Sequence, residues 1–365
     1  MRIVFFQWDL GRGGAEIVVC NLSNYLSKQG HQVHILTINS KDQLSQRFNP
    51  NVRFTTFNKN RIFGSLIPLI RFIRKEDIDC LVSNVWPATI ISTIASFFCY
   101  GFRHKLFLIE HINLNEESKN RSKIYRLFLR LSIFFLHNQA YKVIAVSNGV
   151  REDLISKGLR REKTTVIYNP ACPILSQNED NFEEEKRRWF KEDCLKISSV
   201  GHLHKQKNHS NLINAIDILK NEKKINCQAI IAGEGPERNT IEALIHQKEL
   251  TNEVILVGSI PNPLSLMEES DLFVLSSSFE GFGMVIVEAL SQGKTVVATD
   301  CPSGPAEIIG DNEFGYLCEV NDPSDLAEKI DYARKNNINP EKLISKSKEF
   351  TLEKIGPLYE EILET

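Results

Sequence analysis

The sequence predicts an α/β protein of two doubly wound, parallel-sheet domains facing a central cleft. Three observations carry this. Short, charge-poor runs of Val, Ile and Leu alternate with amphipathic helical stretches, the pattern of parallel strands covered on both faces. The alternation stops at Asn169-Pro170-Ala171-Cys172-Pro173 and then starts again. Charge reverses across that seam: residues 1–172 hold 24 Lys/Arg against 12 Asp/Glu, and residues 173–365 hold 20 against 34. A length of 365 residues suits two domains.

Each element follows from local pattern. In the first half, apolar runs predict strands over 3–7, 32–36, 52–57, 78–83, 105–110, 143–146 and 165–168. Helical periodicity predicts helices over 15–28, with Gly30 closing the first, and near 64–75, 87–99, 121–137 and 149–157. In the second half, strands are expected over 196–200, 228–232, 254–257, 272–276 and 295–298. Helices are expected near 208–220, 237–248, 283–292 and 323–335, with a final amphipathic segment over 352–363. The domains are therefore set at 1–172 and 173–350, followed by a terminal helix over 351–365.

Composition excludes several classes. Gly and Pro, at 19 and 13 residues, are too few for collagen or low-complexity disorder. The eight cysteines are scattered and expected mostly in strands; without a Cys-x-x-Cys they suggest reduced thiols in a cytoplasmic protein, not a zinc site. The start has no signal-peptide pattern. Residues 80–102 carry no formal charge, long enough to span a bilayer. Their Ser, Thr, Asn and Pro residues favour a buried strand, a loop and a buried helix instead. No DNA- or RNA-reading motif is present, so nucleic acid is not an expected partner.

Candidate chemistry sits where strands run into helices. In Ser276-Ser277-Ser278-Phe279-Glu280-Gly281-Phe282-Gly283-Met284-Val285, a Gly-rich turn precedes a helix that continues through Glu288. The free N–H groups and positive dipole end of such a helix suit an anion. Carboxylates at Glu280 and Glu288 suit sugar and ribose hydroxyls. Gly201-His202-Leu203-His204-Lys205-Gln206-Lys207 places the compact Lys207 cation on another such loop, suited to a diphosphate. Gly11-Arg12-Gly13-Gly14-Ala15-Glu16 follows the first strand but lacks both the dinucleotide fingerprint and the Walker pattern. Gly233-Glu234-Gly235-Pro236 reads better as a tight turn than as a ligand contact. His111 lies just past the strand over 105–110. Over 121–137, Arg121, Lys123, Arg126 and Arg130 interleave with apolar residues, a pattern suited to an anionic membrane surface. Each feature alone also occurs on ordinary loops and helices.

Taken together, Glu280 and Glu288 with seven residues between them, Gly13-Gly14 and Gly201…Lys207-Asn208 resemble the family 4 glycosyltransferases of the GT-B fold, over essentially the whole chain. The resemblance implies an acceptor-binding first domain, a nucleotide-sugar-binding second domain and a terminal helix returning to the first. It implies a retaining transfer with no cofactor and no obligatory metal, and no Asp-x-Asp metal motif is read in the sequence. Carried onto this chain, Glu280 holds donor-sugar hydroxyls, and the amides of Phe282, Gly283, Met284 and Val285, beside Gly281, face the diphosphate. Glu288 holds the ribose, and Lys207 neutralises the leaving diphosphate. Gly13, Gly14 and Gly201 allow close approach, Gly258 and Ile260 lie beside the base, and His111 contacts sugar or acceptor. His202 stands where the family often has Arg, so the diphosphate clamp is expected to weaken as pH rises.

Residues 299–308 are similar to members that use UDP-N-acetylhexosamines or UDP-hexoses to build bacterial surface glycans, many on polyprenyl-diphosphate-linked acceptors. The expected protein is cytoplasmic and peripheral on the inner face of the plasma membrane, with a UDP-sugar donor and a lipid-linked or glycan acceptor. A nucleotide-sugar epimerase of related architecture and a non-catalytic nucleotide-sugar-binding protein remain alternatives. Glycosidase action is disfavoured because the two glutamates grip different parts of one donor, and a dehydrogenase because the dinucleotide fingerprint is missing.

Overall fold

A computed structural model of the chain describes residues 1–11, 13–171 and 190–365. Contacts divide these into one unit of Met1–Pro170 with Thr351–Thr365 and another of Ala171–Phe350. The 172/173 boundary expected from sequence lies outside the described residues.

The first unit holds β1 (Arg2–Gln7), α1 (Gly14–Lys28), β2 (Gln32–Thr37), β3 (Arg53–Thr56), α2 (Leu66–Lys75), β4 (Cys80–Asn84) and α3 (Ala88–Phe97). It continues with β5 (Leu106–Glu110), α4 (Leu114–Ser118), α5 (Lys123–Phe135), β6 (Lys142–Ala145), α6 (Asn148–Ser156) and β7 (Thr164–Val166). Its parallel sheet has the order β3-β2-β1-β4-β5-β6-β7. The central strands β4 and β5 are buried at every position, which explains their unbroken apolar runs. Residues 80–102 form β4, α3 and a short turn; among the described residues no helix is long and apolar enough to cross a membrane.

The second unit holds β8 (Leu195–Val200), α7 (His209–Asn221), β9 (Cys227–Ala232), α8 (Arg238–Gln247), β10 (Val254–Gly258), α9 (Pro263–Glu269) and β11 (Leu272–Leu275). Then follow α10 (Met284–Ser291), β12 (Thr295–Thr299), α11 (Pro305–Ile309), β13 (Tyr316–Cys318), α12 (Pro323–Lys335) and α13 (Pro340–Ser347). Its strand order is β10-β9-β8-β11-β12-β13, again all parallel. In both sheets the order reverses beside the first strand, at β1/β4 and at β8/β11. Such a reversal opens a crevice at the strands' carboxyl ends.

Helix α14 (Leu352–Glu364) closes the chain on the first unit. Ile355, Tyr359 and Leu363 bury one face. Glu360 accepts a bond from the Tyr25 hydroxyl at 3.1 Å and lies 2.8 Å from His31 Nε2. Gly356 is needed there, because a β-carbon would stand 2.9 Å from the Tyr25 ring. Glu364 joins His31 and Glu360 in the one group of three possible metal ligands among the described residues, and it belongs to this tie.

The sequence pattern missed α4, α9, α11, α13 and β13, all of eight residues or fewer. Elements that short hold too little of a period to be seen. The cysteine reading is corrected: of the described ones only Cys80, Cys227 and Cys318 lie in strands, while Cys20 is helical. All seven described cysteines are free thiols.

The buried Tyr359 hydroxyl has no hydrogen-bond partner among the described residues. Removing an unsatisfied buried polar group stabilises. Tyr359→Phe is expected to raise stability by about 1 kcal/mol, and Tyr359→Ala to lower it by about 3–5 kcal/mol, both read by thermal unfolding.

Candidate functional site

Two loops leave the neighbouring strands β8 and β11 side by side at the reversal point. The first runs through a 3₁₀ turn, Lys205–Lys207, into α7. The second runs from Ser276 to Gly283, where α10 opens with no side-chain cap. Three bonds stitch them together besides the charged pair, and a fourth braces the second loop on itself. Ser276 Oγ donates to the Lys207 carbonyl at 3.0 Å, and the Ser278 amide donates to the Gln206 carbonyl at 2.7 Å. Gln206 Nε2 donates to the Phe279 carbonyl at 2.9 Å, and Ser277 Oγ donates to Glu280 Oε1 at 2.6 Å.

At the centre, Lys207 Nζ lies 2.6 Å from the same Glu280 oxygen. The side chains are 18% and 7% exposed. A buried carboxylate is tolerable only with such partners. Oε1 is thus doubly engaged, and Glu280 Oε2 has no partner among the described residues. Gly201 leaves room for the pair: a β-carbon there would press on the Lys207 stem at 3.3 Å. Glu288 lies on α10, half-buried. Burial pushes its carboxyl up to about 7, against the pull of Lys207.

Two further segments support this core. The Thr299 hydroxyl donates to the Ser277 carbonyl at 2.5 Å, and the Glu280 amide to the Pro302 carbonyl at 3.2 Å. Gly304, with φ +94°, packs so closely on Phe282 that a β-carbon would overlap its carbonyl oxygen. Residues 233–236 pack against the loop after β8: the Leu203 amide donates to the Glu234 carbonyl at 3.0 Å. Among expected donor contacts, Gly281, Phe282, Gly283 and Met284 are buried at the α10 start, with Val285 beside them. Gly258 ends β10, Ile260 packs against Ile230, Ala232 and Leu266, and His202 is exposed, 3.4 Å from the Glu234 carbonyl. The sequence reading passed over Ser277, Gln206 and Thr299 as ligand supports; the Ser276–Ser278 run was their only signal.

In the first unit, His111 follows β5 with Nε2 3.4 Å from Asn84 Oδ1 at the end of β4. Burial drives its imidazole down to about 3, so it is neutral at physiological pH and works as a hydrogen-bonding group. Asp153 Oδ2 fixes the next turn by accepting the Leu114 amide at 2.8 Å. Gly13 caps α1 in extended conformation and Gly14 begins it; Arg12 lies outside the described residues. The reading that no Asp-x-Asp occurs is corrected. Asp77-Ile78-Asp79 has that spacing, but it precedes β4 at the sheet's amino end. Both carboxylates there bind Arg2, one its guanidinium and one its amide. Helix α5 exposes Ile124, Leu127, Phe128, Leu131, Phe134 and Phe135 as one apolar stripe, with Ile124 81% exposed. Lys123, Arg126 and Arg130 are exposed on the flank of that stripe.

Residues 12–171 match the family model described as Glycosyltransferase Family 4, and residues 181–350 the model described as Glycosyl transferases group 1. The chain is 29% identical, over 90% of its length and 89% of the relative's, to a Campylobacter jejuni enzyme. That enzyme is named N-acetylgalactosamine-N,N'-diacetylbacillosaminyl-diphospho-undecaprenol 4-alpha-N-acetylgalactosaminyltransferase. It is 24% identical, over 96% of its length and 93% of the relative's, to the N-acetyl-alpha-D-glucosaminyl L-malate synthase of Bacillus anthracis. Its fold matches a crystal structure of Anabaena HepE in complex with UDP, with TM-score 0.79, 22% identity and full coverage of both chains.

Carbon-13 spectra of glutamate-labelled protein are expected to show Glu288 titrating near pH 7, and Lys207→Met to move that midpoint higher. A midpoint in the ordinary range of about 4.3 would contradict the buried setting.

Proposed function

The chain belongs to the family 4 glycosyltransferases of the GT-B fold, and from that premise we propose a specific transfer. It moves a hexose or N-acetylhexosamine from a UDP-sugar to a membrane-associated acceptor, either polyprenyl-diphosphate-linked or a growing surface glycan. The transfer retains anomeric configuration and uses no metal. The observation that carries this reading is the Lys207–Glu280–Ser277 network at the β8/β11 reversal point. HepE, whose fold is shared, binds UDP, and the Campylobacter relative is named for a diphospho-undecaprenol substrate.

The donor diphosphate rests at the α10 N-terminus, whose dipole and first-turn amides favour an anion. Glu280 Oε2 takes a sugar hydroxyl, and Glu288 takes the ribose. The bond from the anomeric carbon to the diphosphate oxygen breaks with its electron pair on the departing UDP, an acceptor hydroxyl oxygen bonds to that carbon on the same face, and the hydroxyl proton passes to the leaving diphosphate. Lys207 turns from Glu280 to that developing charge and so replaces the divalent cation that other transferases need. Neutral His111 offers a hydrogen bond to sugar or acceptor without adding charge. The α5 stripe and its basic flank dock on an anionic bilayer, which places the protein peripherally on the cytoplasmic face of the membrane.

A panel of nucleotide-sugars incubated with purified protein, with and without membrane lipid extract, tests the reading. UDP release from one UDP-sugar that requires the extract is expected. Release without extract favours a hydrolytic activity, conversion of the donor without net UDP release favours the epimerase, and release restored by a small hydroxy acid favours a soluble acceptor. Tight UDP binding with no turnover on any donor favours the non-catalytic alternative. Glu280→Gln is expected to lower kcat by about 10²–10³. In a His202→Gln background, UDP affinity is expected to rise with pH between about 6 and 8, because only ionised Glu288 accepts fully from both ribose hydroxyls. Glu288→Gln should flatten that slope.

A further inference from the structure

At the reversal point of the first sheet, two side chains that touch each other end in unpaired polar atoms. Asn84 closes β4, beside β1, and is buried. Its Oδ1 lies 3.4 Å from Nε2 of His111, just past β5. The other end of each group, Asn84 Nδ2 and His111 Nδ1, is buried and has no hydrogen-bond partner among the described residues. Burial drives the imidazole down to about 3, so the ring is neutral and carries one N–H and one lone pair. With Nε2–H donating to Asn84 Oδ1, the pair leaves an amide donor and an imidazole acceptor unused. With the amide donating to Nε2 instead, it leaves a carbonyl acceptor and an Nδ1–H donor. Either way, one donor and one acceptor remain.

The surroundings hold this pair in place. The buried Glu110 carboxylate anchors the chain on both sides of it. Glu110 directly precedes His111, and its Oε2 accepts the amide of Trp86, two residues past Asn84, at 3.1 Å. Its Oε1 accepts the Thr89 hydroxyl at 2.9 Å and lies 2.9 Å from Nε2 of the buried His137. Between Asn84 and Trp86, Val85 holds φ +63°, which a β-branched residue rarely adopts. Beyond His111, the Leu114 amide is fixed on Asp153. These anchors leave the two groups little freedom to find partners within the chain, although buried polar atoms are ordinarily paired. Unlike the lone Tyr359 hydroxyl, the two orphan atoms belong to groups already bonded to each other, and together they offer both halves of a hydrogen-bonding partner's needs.

Charge and capacity identify that partner. A pair without net charge does not suit a phosphate or a carboxylate, which call for charged donors. A hydroxyl donates and accepts through one oxygen and so matches one donor and one acceptor on neighbouring groups.

We propose that Asn84 is a further substrate-binding residue, and that Asn84 and His111 together take one sugar hydroxyl, donating to its oxygen and accepting its O–H. The hydroxyl belongs to the donor sugar or to a sugar of the acceptor. The proposal rests on the transferase reading above and adds to it selectivity at a single hydroxyl.

The test uses the full chain, membrane lipid extract and the donor that turns over among UDP-glucose, UDP-galactose, UDP-N-acetylglucosamine and UDP-N-acetylgalactosamine. The 3-, 4- and 6-deoxy analogues of that donor are compared with it. The native chain is expected to lose about 10- to 100-fold in kcat/KM on the analogue that lacks the held hydroxyl. Asn84→Leu is expected to lose most of that discrimination while keeping the discrimination at the other positions, which a merely structural defect would not do. Native discrimination throughout, with an extract KM raised about 10-fold and the donor KM unchanged, assigns the hydroxyl to the acceptor. Unchanged discrimination with an unchanged extract KM overturns the site. A second readout needs no variant. Nitrogen-15 spectra of histidine-labelled native protein are expected to show the His111 Nδ1 signal shift when the UDP-sugar, alone or with extract, is added; no shift in either case overturns the site. Turnover of none of the four donors defeats the transferase reading and the site with it, whereas turnover with unchanged selectivity defeats the site alone.

Discussion

One buried carboxylate organises the second unit. Glu280 lies at the mouth of a parallel sheet, where an unpaired anion would cost several kcal/mol. Its surroundings are arranged to prevent that. Lys207 and Ser277 both reach Oε1, from loops that leave adjacent strands. The absence of a side chain at position 201 eases the crossing of the Lys207 stem. The bonds among Ser276, Gln206, Ser278 and Phe279 then hold the two loops in register. The residues between Val200 and Asn208 thus have a geometry set by a partner more than 70 positions away.

The same constraint explains glycines that look alike in sequence and act differently. Gly201 yields space to a side chain, whereas Gly304 yields space to a backbone carbonyl in the segment that buttresses Glu280. Neither is a phosphate contact by necessity. Gly283 is different again: it sets the chain direction at which α10 begins, leaving first-turn amides without a capping side chain. A glycine-rich motif therefore mixes supports and contacts, and only coordinates separate them.

Much of this was legible in the sequence. Long, strongly periodic elements such as β1, α1, β9 and α12 announce themselves, because parallel strands are buried on both faces and helices on one. The loops that matter were found because each joins a strand to a helix at a glycine. What was not legible was pairing. Nothing in spacing says that Lys207 meets Glu280, that Thr299 supports Ser277, or that the tie of Glu360 to Tyr25 and His31 closes α14 on the first unit. Those are contacts across long sequence separations. Short elements such as α11 and β13 were invisible for another reason, since they are set by packing and not by period. The protonation of His111 and Glu288 was equally hidden, because desolvation is a property of the folded surroundings.

Those two titrating groups also divide the chemistry. His111, held neutral by burial, can donate or accept but brings no charge. In the second unit, Lys207 supplies the positive charge beside Glu280. Lys207 cannot serve an arriving diphosphate and neutralise Glu280 fully at once, since the two acceptors compete for one ammonium. The Ser277 hydroxyl resolves that conflict. It is buried, anchored through its own carbonyl by Thr299, and stays on Oε1 when Lys207 turns away. Glu280 then keeps one donor from the protein and gains another from the sugar hydroxyl on Oε2. On the proposed function, this pair takes part in an exchange. The protein's internal ion pair is traded for two ligand contacts, and the carboxylate is never left without a hydrogen bond.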